Sequence, residues 1–194
     1  MSALLTHPVA LHAERTDDPA TVRWVTTRLA VACLHKAGDE TVLAALRTEG
    51  VVVAVTLDAD RVEVTAADGK DWRELGTRVR EALADELAAA VQEHGADDSV
   101  LLDVASAVLE EQVGALARTH GGSLAVLDVT EGVVTVGRSG ACGHCPAASA
   151  TVNRTFEEAL RDQAPGVRTV RSVDDGSTGR GRRTLLGLPT LRRG

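Results

Sequence analysis

Residues 121–146 read GGSLAVLDVTEGVVTVGRSGACGHCP, and this stretch decides how the second half of the chain folds. Leu124 to Val129 and Val133 to Val136 are rich in apolar and β-branched residues, which favours strands. Thr130-Glu131-Gly132 between them is typical of a turn. The stretch therefore predicts a β-hairpin, followed by a loop from Gly137 to Cys145.

A helix is predicted on each side of this hairpin. Upstream, apolar residues recur at helical spacing from Leu101 to Leu116, and the paired glycines Gly121-Gly122 end that helix. Downstream, Pro146 suits the first position of a helix. Val167 to Val173 is a candidate closing strand, so the second half reads α, β, β, α, β. The apolar stripe of the downstream helix consists of Val152, Phe156, Ala159 and Leu160.

The first half predicts the order β, β, α, β, β, α. Thr21 to Leu29 predicts a strand, or a strand followed by a helix, and Asp39 to Thr48 predicts a helix that Gly50 stops. Two β-branched runs around the turn Asp58-Ala59-Asp60 predict a hairpin. Asp71 begins a last helix, whose apolar residues recur at helical spacing. These residues are Leu75, Val79, Leu83 and Leu87.

These patterns predict an α/β (α+β) fold in two small domains, each a small mixed sheet packed against helices. Residues 1–93 form the first domain and residues 100–173 the second. Residues 94–99 are polar and contain glycine, so they are the predicted linker, and Asp98 or Ser99 is expected to cap the next helix. Residues 174–194 are rich in Gly, Ser, Thr and Arg, which predicts a disordered basic tail.

The composition excludes several classes of function. The net charge is -7 and aromatic residues make up 2% of the chain, which argues against nucleic-acid binding by charge or by base stacking. The apolar stretches are too short and too often charged to span a bilayer, and the first residues lack the basic region of a signal peptide. The cytoplasm is the expected location. No catalytic constellation is present, so no catalytic residue is assigned and the chain is not expected to be an enzyme.

Cys142 and Cys145 are the candidate metal ligands. A close pair of thiols in a reducing compartment is typical of a metal-binding or redox site. A thiolate is favoured near a helix N-terminus, and Cys145 directly precedes the helix predicted from Pro146. From the residues themselves, four interpretations stay open: a structural pair, a zinc site shared between chains, a redox pair and an iron–sulfur site.

Counting ligands points to a shared site. A 4Fe–4S cluster and a structural zinc ion each take four ligands, whereas Cys142 and Cys145 supply two. The third cysteine, Cys33, lies in an apolar stretch of the other half and is predicted to be an inert core residue. His144 is predicted to shape the loop rather than bind the metal. A symmetric dimer that contributes two thiolates from each chain is the simplest arrangement.

The redox interpretation lacks its usual context. Cys142-Gly143-His144-Cys145 matches the active-site tetrapeptide of protein disulfide isomerases letter for letter. A thioredoxin-like fold would require a Trp before the first cysteine, and a cis-proline and further strands after the pair. Here Gly140-Ala141 precede Cys142, and about fifty residues follow Cys145, of which the tail takes about twenty.

The second half resembles the NifU C-terminal (Nfu) domain over about Val100 to Val173. The pattern is Gly121-Gly122, a hairpin, the segment Gly140-Ala141-Cys142-Gly143-His144-Cys145-Pro146 and a helix that ends before Pro165. The first half is similar to the N-terminal domain of full-length Nfu proteins. The residues that carry this second similarity are Val51 to Val55, Val62 to Thr65 and Asp71-Trp72-Arg73-Glu74-Leu75. The family's Pro-Asn-Pro-Asn-type segment is replaced here by Asp17-Asp18-Pro19-Ala20-Thr21.

The resemblance implies an iron–sulfur cluster scaffold or carrier. Such a protein receives a cluster from cluster-assembly proteins and delivers it to apo iron–sulfur proteins. The cluster implied is 4Fe–4S, with 2Fe–2S as the alternative, bridging two subunits of a homodimer. Cys142 and Cys145 are the residues that the resemblance assigns to it.

Overall fold

A computed structural model describes residues 9–119, 121–140 and 146–174 of the chain. In this part of the chain, helices pack against two small sheets, so the α+β fold class is confirmed. The second sheet is mixed, as expected, whereas every strand pair of the first sheet is antiparallel.

The first sheet contains β1 (His12–Arg15), β2 (Thr21–Val25), β3 (Val52–Asp58) and β4 (Arg61–Ala66) in the order β1-β2-β4-β3. The hairpin predicted around residues 58–60 is confirmed as β3 and β4. Trp24 on β2 lies opposite Val62 on β4, and both side chains are buried. These residues form the side of the sheet that contributes to the core.

The helices of the first half differ in part from the sequence prediction. A separate helix, α1 (Arg28–Ala37), follows β2, which confirms the strand-then-helix alternative. The single helix predicted from Asp39 to Thr48 is wrong: a 3-10 turn (Asp39–Thr41) and the short α2 (Ala44–Thr48) stand there instead. They are separated because Leu43 adopts a left-handed conformation with φ of 54°.

The longest helix of the first half is α3 (Trp72–His94), and its start is confirmed. The Asp71 side chain accepts a hydrogen bond from the Arg73 backbone N–H at 2.9 Å, as a helix cap does. Its core stripe is also as predicted, because residues four apart lie on one helix face. The buried members are Leu75, Val79, Leu83, Leu87 and Ala90.

The second half begins with α4 (Asp98–Leu109), a π-helical turn (Glu110–Gly114) and α5 (Ala115–Thr119). The predicted upstream helix is therefore present but interrupted by the π turn. At that turn Gly114 is covered by the carboxylate of Glu110, which also accepts a hydrogen bond from Arg118 at 2.6 Å.

The second sheet contains β5 (Gly122–Thr130), β6 (Val133–Gly140) and β7 (Thr169–Asp174) in that order. The hairpin β5–β6 is antiparallel, and β7 lies parallel to β6 after the crossover helix α6 (Pro146–Gln163). The predicted loop from Gly137 is wrong at its start, because the ladder between β5 and β6 continues to the pair Gly122 and Gly140.

The predicted cap of α4 is also wrong. Asp97 occupies the N-cap position, and its side chain makes no capping hydrogen bond. The Asp98 carboxylate instead accepts hydrogen bonds from the backbone N–H groups of Glu131 and Gly132, at 3.2 and 3.4 Å. A contact with the β5–β6 turn, 33 residues away, therefore replaces the local cap.

The two halves share one continuous core. Helix α1 packs against α3 and also against α4, and buried residues of both halves belong to the same hydrophobic cluster. The Arg28 side chain pairs with Glu111, and the Arg28 backbone N–H donates to the Gln163 side chain at 3.0 Å. In the predicted linker 94–99, only residues 95–97 separate α3 from α4. The division into domains at this place stays a prediction.

The ends of the chain lie outside the described residues. Residues 1–8 and the predicted basic tail beyond Asp174 belong to this part, and Asp174 itself closes β7. Among the helices that the structure describes, none is both long and apolar enough to cross a bilayer.

Candidate metal centre

The predicted ligands lie on a short connection between two well-defined elements. Strand β6 ends at Gly140 and helix α6 begins at Pro146, as predicted for that helix. Cys142, His144 and Cys145 belong to residues 141–145, which lie outside the described residues. The assignment of Cys142 and Cys145 as metal ligands therefore stays a prediction. The structure describes the strand end and the helix start on either side of them.

A close backbone contact marks the strand end that leads into the cysteines. Gly140 has a φ of 60°, and a Cβ atom built on it would lie 2.5 Å from the carbonyl oxygen of Gly121. Such a distance leaves no room for a side chain, and a positive φ favours glycine. Gly121, directly before β5, also has a positive φ of 69°. Two glycines thus set the path of the chain just before the candidate ligands.

A pair of hydroxyl groups lies on the same hairpin, in the cross-strand pair next to Gly122 and Gly140. Ser123 and Ser139 are opposite each other on β5 and β6, and their Oγ atoms are 2.6 Å apart. The sequence analysis did not identify them, although counting the register back from Gly122 and Gly140 would have paired them. The Ser139 hydroxyl is the polar side-chain group nearest in sequence to the cysteine segment on the strand side.

The other flank is the N-terminus of an anchored helix. Phe156 and Leu160, both predicted as core residues of α6, are buried at 1% and 0% exposure. Ala159 is partly buried beside them, and the side chain of Val152 lies outside the described residues. The first backbone N–H groups of a helix have no partner within that helix and favour negative charge. Thiolates just before Pro146 would therefore be stabilised by this end of α6.

Cys33 is a core residue, as predicted. It lies on α1 with an exposure of 0%, and burial together with the nearby charge of Asp97 raises the pKa of its thiol to about 12. A metal ligand must be a thiolate, and burial in apolar surroundings disfavours the thiolate. Cys33 is therefore unsuited to hold a metal.

The donor set fits a site shared by two chains. The described residues contain no group of three or more His, Cys, Asp or Glu side chains that could hold a metal ion. With Cys33 excluded, Cys142 and Cys145 are the thiols that one chain can offer. Two soft sulfur ligands suit iron–sulfur clusters or zinc, and four are needed to complete either centre.

Comparisons with known proteins match part of the chain. A family model described as "NifU-like domain" matches residues 104–171, which run from α4 to β7. The Fe/S biogenesis protein NfuA of Xanthomonas axonopodis pv. citri (strain 306) is 37% identical over 73 residues, 37% of this chain and 37% of that protein. The protein of the same name from Stenotrophomonas maltophilia (strain K279a) is 33% identical over 84 residues, 43% of this chain and 42% of that protein.

The similarity covers only part of each chain. The matches span about two fifths of the length of these curated relatives. The family match begins in α4, so the similarity of the first half to the N-terminal domain of Nfu proteins stays a prediction.

Proposed function

We propose that this chain, whose residues 104–171 match the NifU-like domain, is a protein of iron–sulfur biogenesis that holds a cluster and hands it on. The family match carries this proposal. It spans the connection between β6 and α6, in which Cys142 and Cys145 are the two thiols.

The proposed cargo is a 4Fe–4S cluster, with 2Fe–2S as the alternative. Two chains bind it, each through Cys142 and Cys145, because four thiolates complete such a centre and one chain offers two. Gly140 at the end of β6 and the N-terminus of α6 support the choice of these ligands. Both features favour close approach of backbone N–H groups to a negatively charged centre.

Delivery is proposed to proceed by ligand exchange. A thiolate of the apo-protein forms a bond to a cluster iron, the bond from that iron to Cys142 or Cys145 breaks, and the released sulfur takes the proton that the incoming thiol lost. No electron is transferred, so the exchange needs no oxidant or reductant. The partners are apo iron–sulfur proteins and the assembly proteins that load the cluster, and the cytoplasm is the proposed location.

The test is anaerobic reconstitution of the full chain with iron and sulfide, followed by Mössbauer spectroscopy and native mass measurement. We expect about two iron and two sulfide ions per chain in a dimer. Cys142→Ser and Cys145→Ser should each lose the cluster, whereas the matched control Cys33→Ser should retain it. A monomer that keeps a full cluster, or a Cys142→Ser variant that does so, would refute the ligand assignment.

Transfer is tested separately by mixing the loaded dimer with an apo-protein that has a four-cysteine site. The cluster should move to the apo-protein at an undiminished rate when an iron chelator is present. If the chelator inhibits this transfer as strongly as it inhibits reconstitution from free iron and sulfide, the cluster breaks down into free ions and is not delivered intact. One zinc ion per dimer without sulfide would indicate a zinc site shared between two chains, and reduction of insulin disulfides by the metal-free chain would indicate a thiol–disulfide oxidoreductase.

The redox alternative finds no support in the fold. A thioredoxin-like context requires a cis-proline and several strands after the cysteine pair. Across the described residues no cis peptide bond is present, and between Pro146 and Asp174 the structure contains one strand, β7.

A further inference from the structure

A groove of about 490 Å³ lies in the first half, between strand β1 and helix α3. His12 lies on the strand side, and Trp72, Arg73, Gly76 and Arg80 lie on the helix side. Trp24 of β2 also lines it. No function proposed above uses this groove.

One wall of the groove is an edge of the first sheet. Strand β1 pairs with β2 on one side, and within the described residues no strand pairs with its other side. An edge strand presents unpaired backbone N–H and C=O groups, which can accept an added strand. Extended peptides are commonly bound in this way, with main-chain hydrogen bonds to the edge and side chains in the neighbouring groove.

The other wall is kept open by Gly76. This glycine lies in the interior of α3, and a Cβ atom built on it would meet nothing within 4 Å. Neither a close contact nor a positive φ requires a glycine there, and glycine destabilises a helix interior relative to alanine. Its effect at this position is to leave the space above the helix free for a ligand.

An unsatisfied donor belongs to one of the residues that line the groove. Trp24 is 4% exposed, and its indole N–H has no hydrogen-bond partner among the described residues. The indole N–H of Trp72, by contrast, donates to the carbonyl oxygen of Ala20 at 2.9 Å. Buried donors are normally paired, so the unpaired N–H of Trp24 is a candidate donor to a ligand in the groove.

The charge of the groove favours a negatively charged ligand. His12, Arg73 and Arg80 line it, and the described lining contains no carboxylate. None of the three forms a salt bridge within the part of the chain that the structure describes. Residues 1–8 (MSALLTHP) have no carboxylate, and the tail has five arginines against the two aspartates Asp174 and Asp175, so neither end of this chain is an acidic segment that would complement the groove.

We propose that the groove binds an extended acidic segment of a partner protein. The segment adds as a strand along β1, places a carboxylate against Arg73 and Arg80, and provides an oxygen acceptor for the indole N–H of Trp24. Binding at this site does not depend on the cluster proposed above, so a chain without Cys142 and Cys145 should still bind.

The chain's own tryptophans provide the test. Both of them, Trp24 and Trp72, line the groove, so intrinsic fluorescence reports from this place. The probe is a capped six-residue peptide that alternates glutamate and valine, and the control peptide has glutamine for glutamate. We expect a saturable change with the acidic peptide, at least about tenfold weaker binding of the control, and a downfield shift of the Trp24 indole N–H signal in NMR. Equal binding of both peptides, or of neither, would overturn the proposal.

Variants locate the binding site. Arg73→Ala and Arg80→Ala should each weaken binding of the acidic peptide about tenfold, since each removes a charged donor. The matched control is Arg78→Ala on the same helix, whose guanidinium pairs with Glu49 outside the groove, and it should bind normally. Equal losses in all three variants would contradict a specific groove.

Two further changes exclude other occupants. Gly76→Leu, which fills the groove, should abolish binding while the circular dichroism spectrum remains that of the parent chain. If Gly76→Leu does not fold, Arg73→Ala and Arg80→Ala still test whether the acidic peptide binds in the groove. Removal of residues 2–8 should leave the affinity unchanged, whereas binding that arises only after this removal would show that the chain's own N-terminus occupies the groove.

Discussion

Gly140 and Gly121 approach each other so closely across the β5–β6 hairpin that a Cβ atom on Gly140 would lie 2.5 Å from the Gly121 carbonyl oxygen. The contact lies two residues before Cys142 in the sequence. Both glycines have a positive φ, but Gly121 itself has nothing within 4 Å of a built Cβ atom. The two positions therefore separate the cost of a left-handed backbone from the cost of a steric clash.

Substitution of these glycines should have unequal effects. Gly121→Ala should lower the free energy of unfolding by about 1–2 kcal/mol, the cost of a left-handed L-residue. Gly140→Ala adds the clash with a backbone atom, so the loss should reach about 3 kcal/mol. Urea titration of both variants measures the difference. Gly76→Ala, in open helical space, is a control that should be neutral or slightly stabilising. Equal losses at 121 and 140 would contradict the close contact.

Asp98 should stabilise the β5–β6 turn. Asp98→Ala removes the acceptor for the backbone N–H groups of Glu131 and Gly132, and we expect a loss of about 1–2 kcal/mol in the free energy of unfolding. The amides of both residues should exchange faster with solvent in the variant, which NMR measures. Asp103→Ala, at an exposed position of α4, should leave both amides unchanged. Unaltered exchange in Asp98→Ala would show that the turn does not depend on this carboxylate.

The two halves should unfold together, because α1 packs against both α3 and α4 within one hydrophobic cluster. Fluorescence of Trp24 and Trp72 reports on the first half. Phe156 is the chain's one phenylalanine, so fluorine-labelled phenylalanine reports on the second half. The two urea curves should have the same midpoint. Two separate midpoints would instead indicate domains that fold independently, as the sequence pattern suggested.

Glu86 should make stability depend on pH. Its carboxylate accepts hydrogen bonds from the Leu43 backbone N–H at 3.0 and 3.2 Å, and burial raises its pKa above the ordinary 4.5. The folded state therefore holds this proton more tightly than the unfolded state. The contribution of Glu86 to the free energy of unfolding should fall as the pH rises from about 4.5 through the raised pKa.

Two variants test this role of Glu86. Glu86→Gln keeps an oxygen acceptor for Leu43 but cannot ionise, so its free energy of unfolding should fall less steeply with pH than that of the parent chain. Glu86→Ala removes the acceptor and should cost about 1–3 kcal/mol, because the left-handed Leu43 loses its partner. Chemical unfolding at several pH values above 4.5 measures both effects. Identical pH profiles of Glu86→Gln and the parent would refute the assignment.

Cys33 should be unreactive in the folded chain. With a pKa of about 12 and no exposed surface, its thiol is protonated and shielded at pH 8. Iodoacetamide should therefore modify Cys142 and Cys145 in the metal-free native chain, and Cys33 only after unfolding in guanidinium. Peptide mapping by mass spectrometry locates the label. A label on Cys33 in the native chain would contradict its burial.

Much of the fold could be predicted because its signals are local. The hairpin β3–β4, the core face of α3 and the start of α6 at Pro146 follow from alternation, helical spacing and proline within short windows. The predictions were wrong where a segment contacts a residue that is distant in sequence. The helix predicted from Asp39 is broken at Leu43, whose backbone N–H is held by Glu86 43 residues away. The Asp98 carboxylate accepts a hydrogen bond from a turn 33 residues away instead of capping α4.

For the candidate site, the sequence by itself determined which residues are proposed as ligands. The number and spacing of thiols, the flanking glycines and the proline are properties of the chain, and they make Cys142 and Cys145 the predicted ligands. Only the tertiary structure decided that Cys33 is buried and unreactive, that Gly140 lies against Gly121, and that the halves share a core. Each of these facts depends on residues distant in sequence that become neighbours on folding, and no local pattern specifies such contacts.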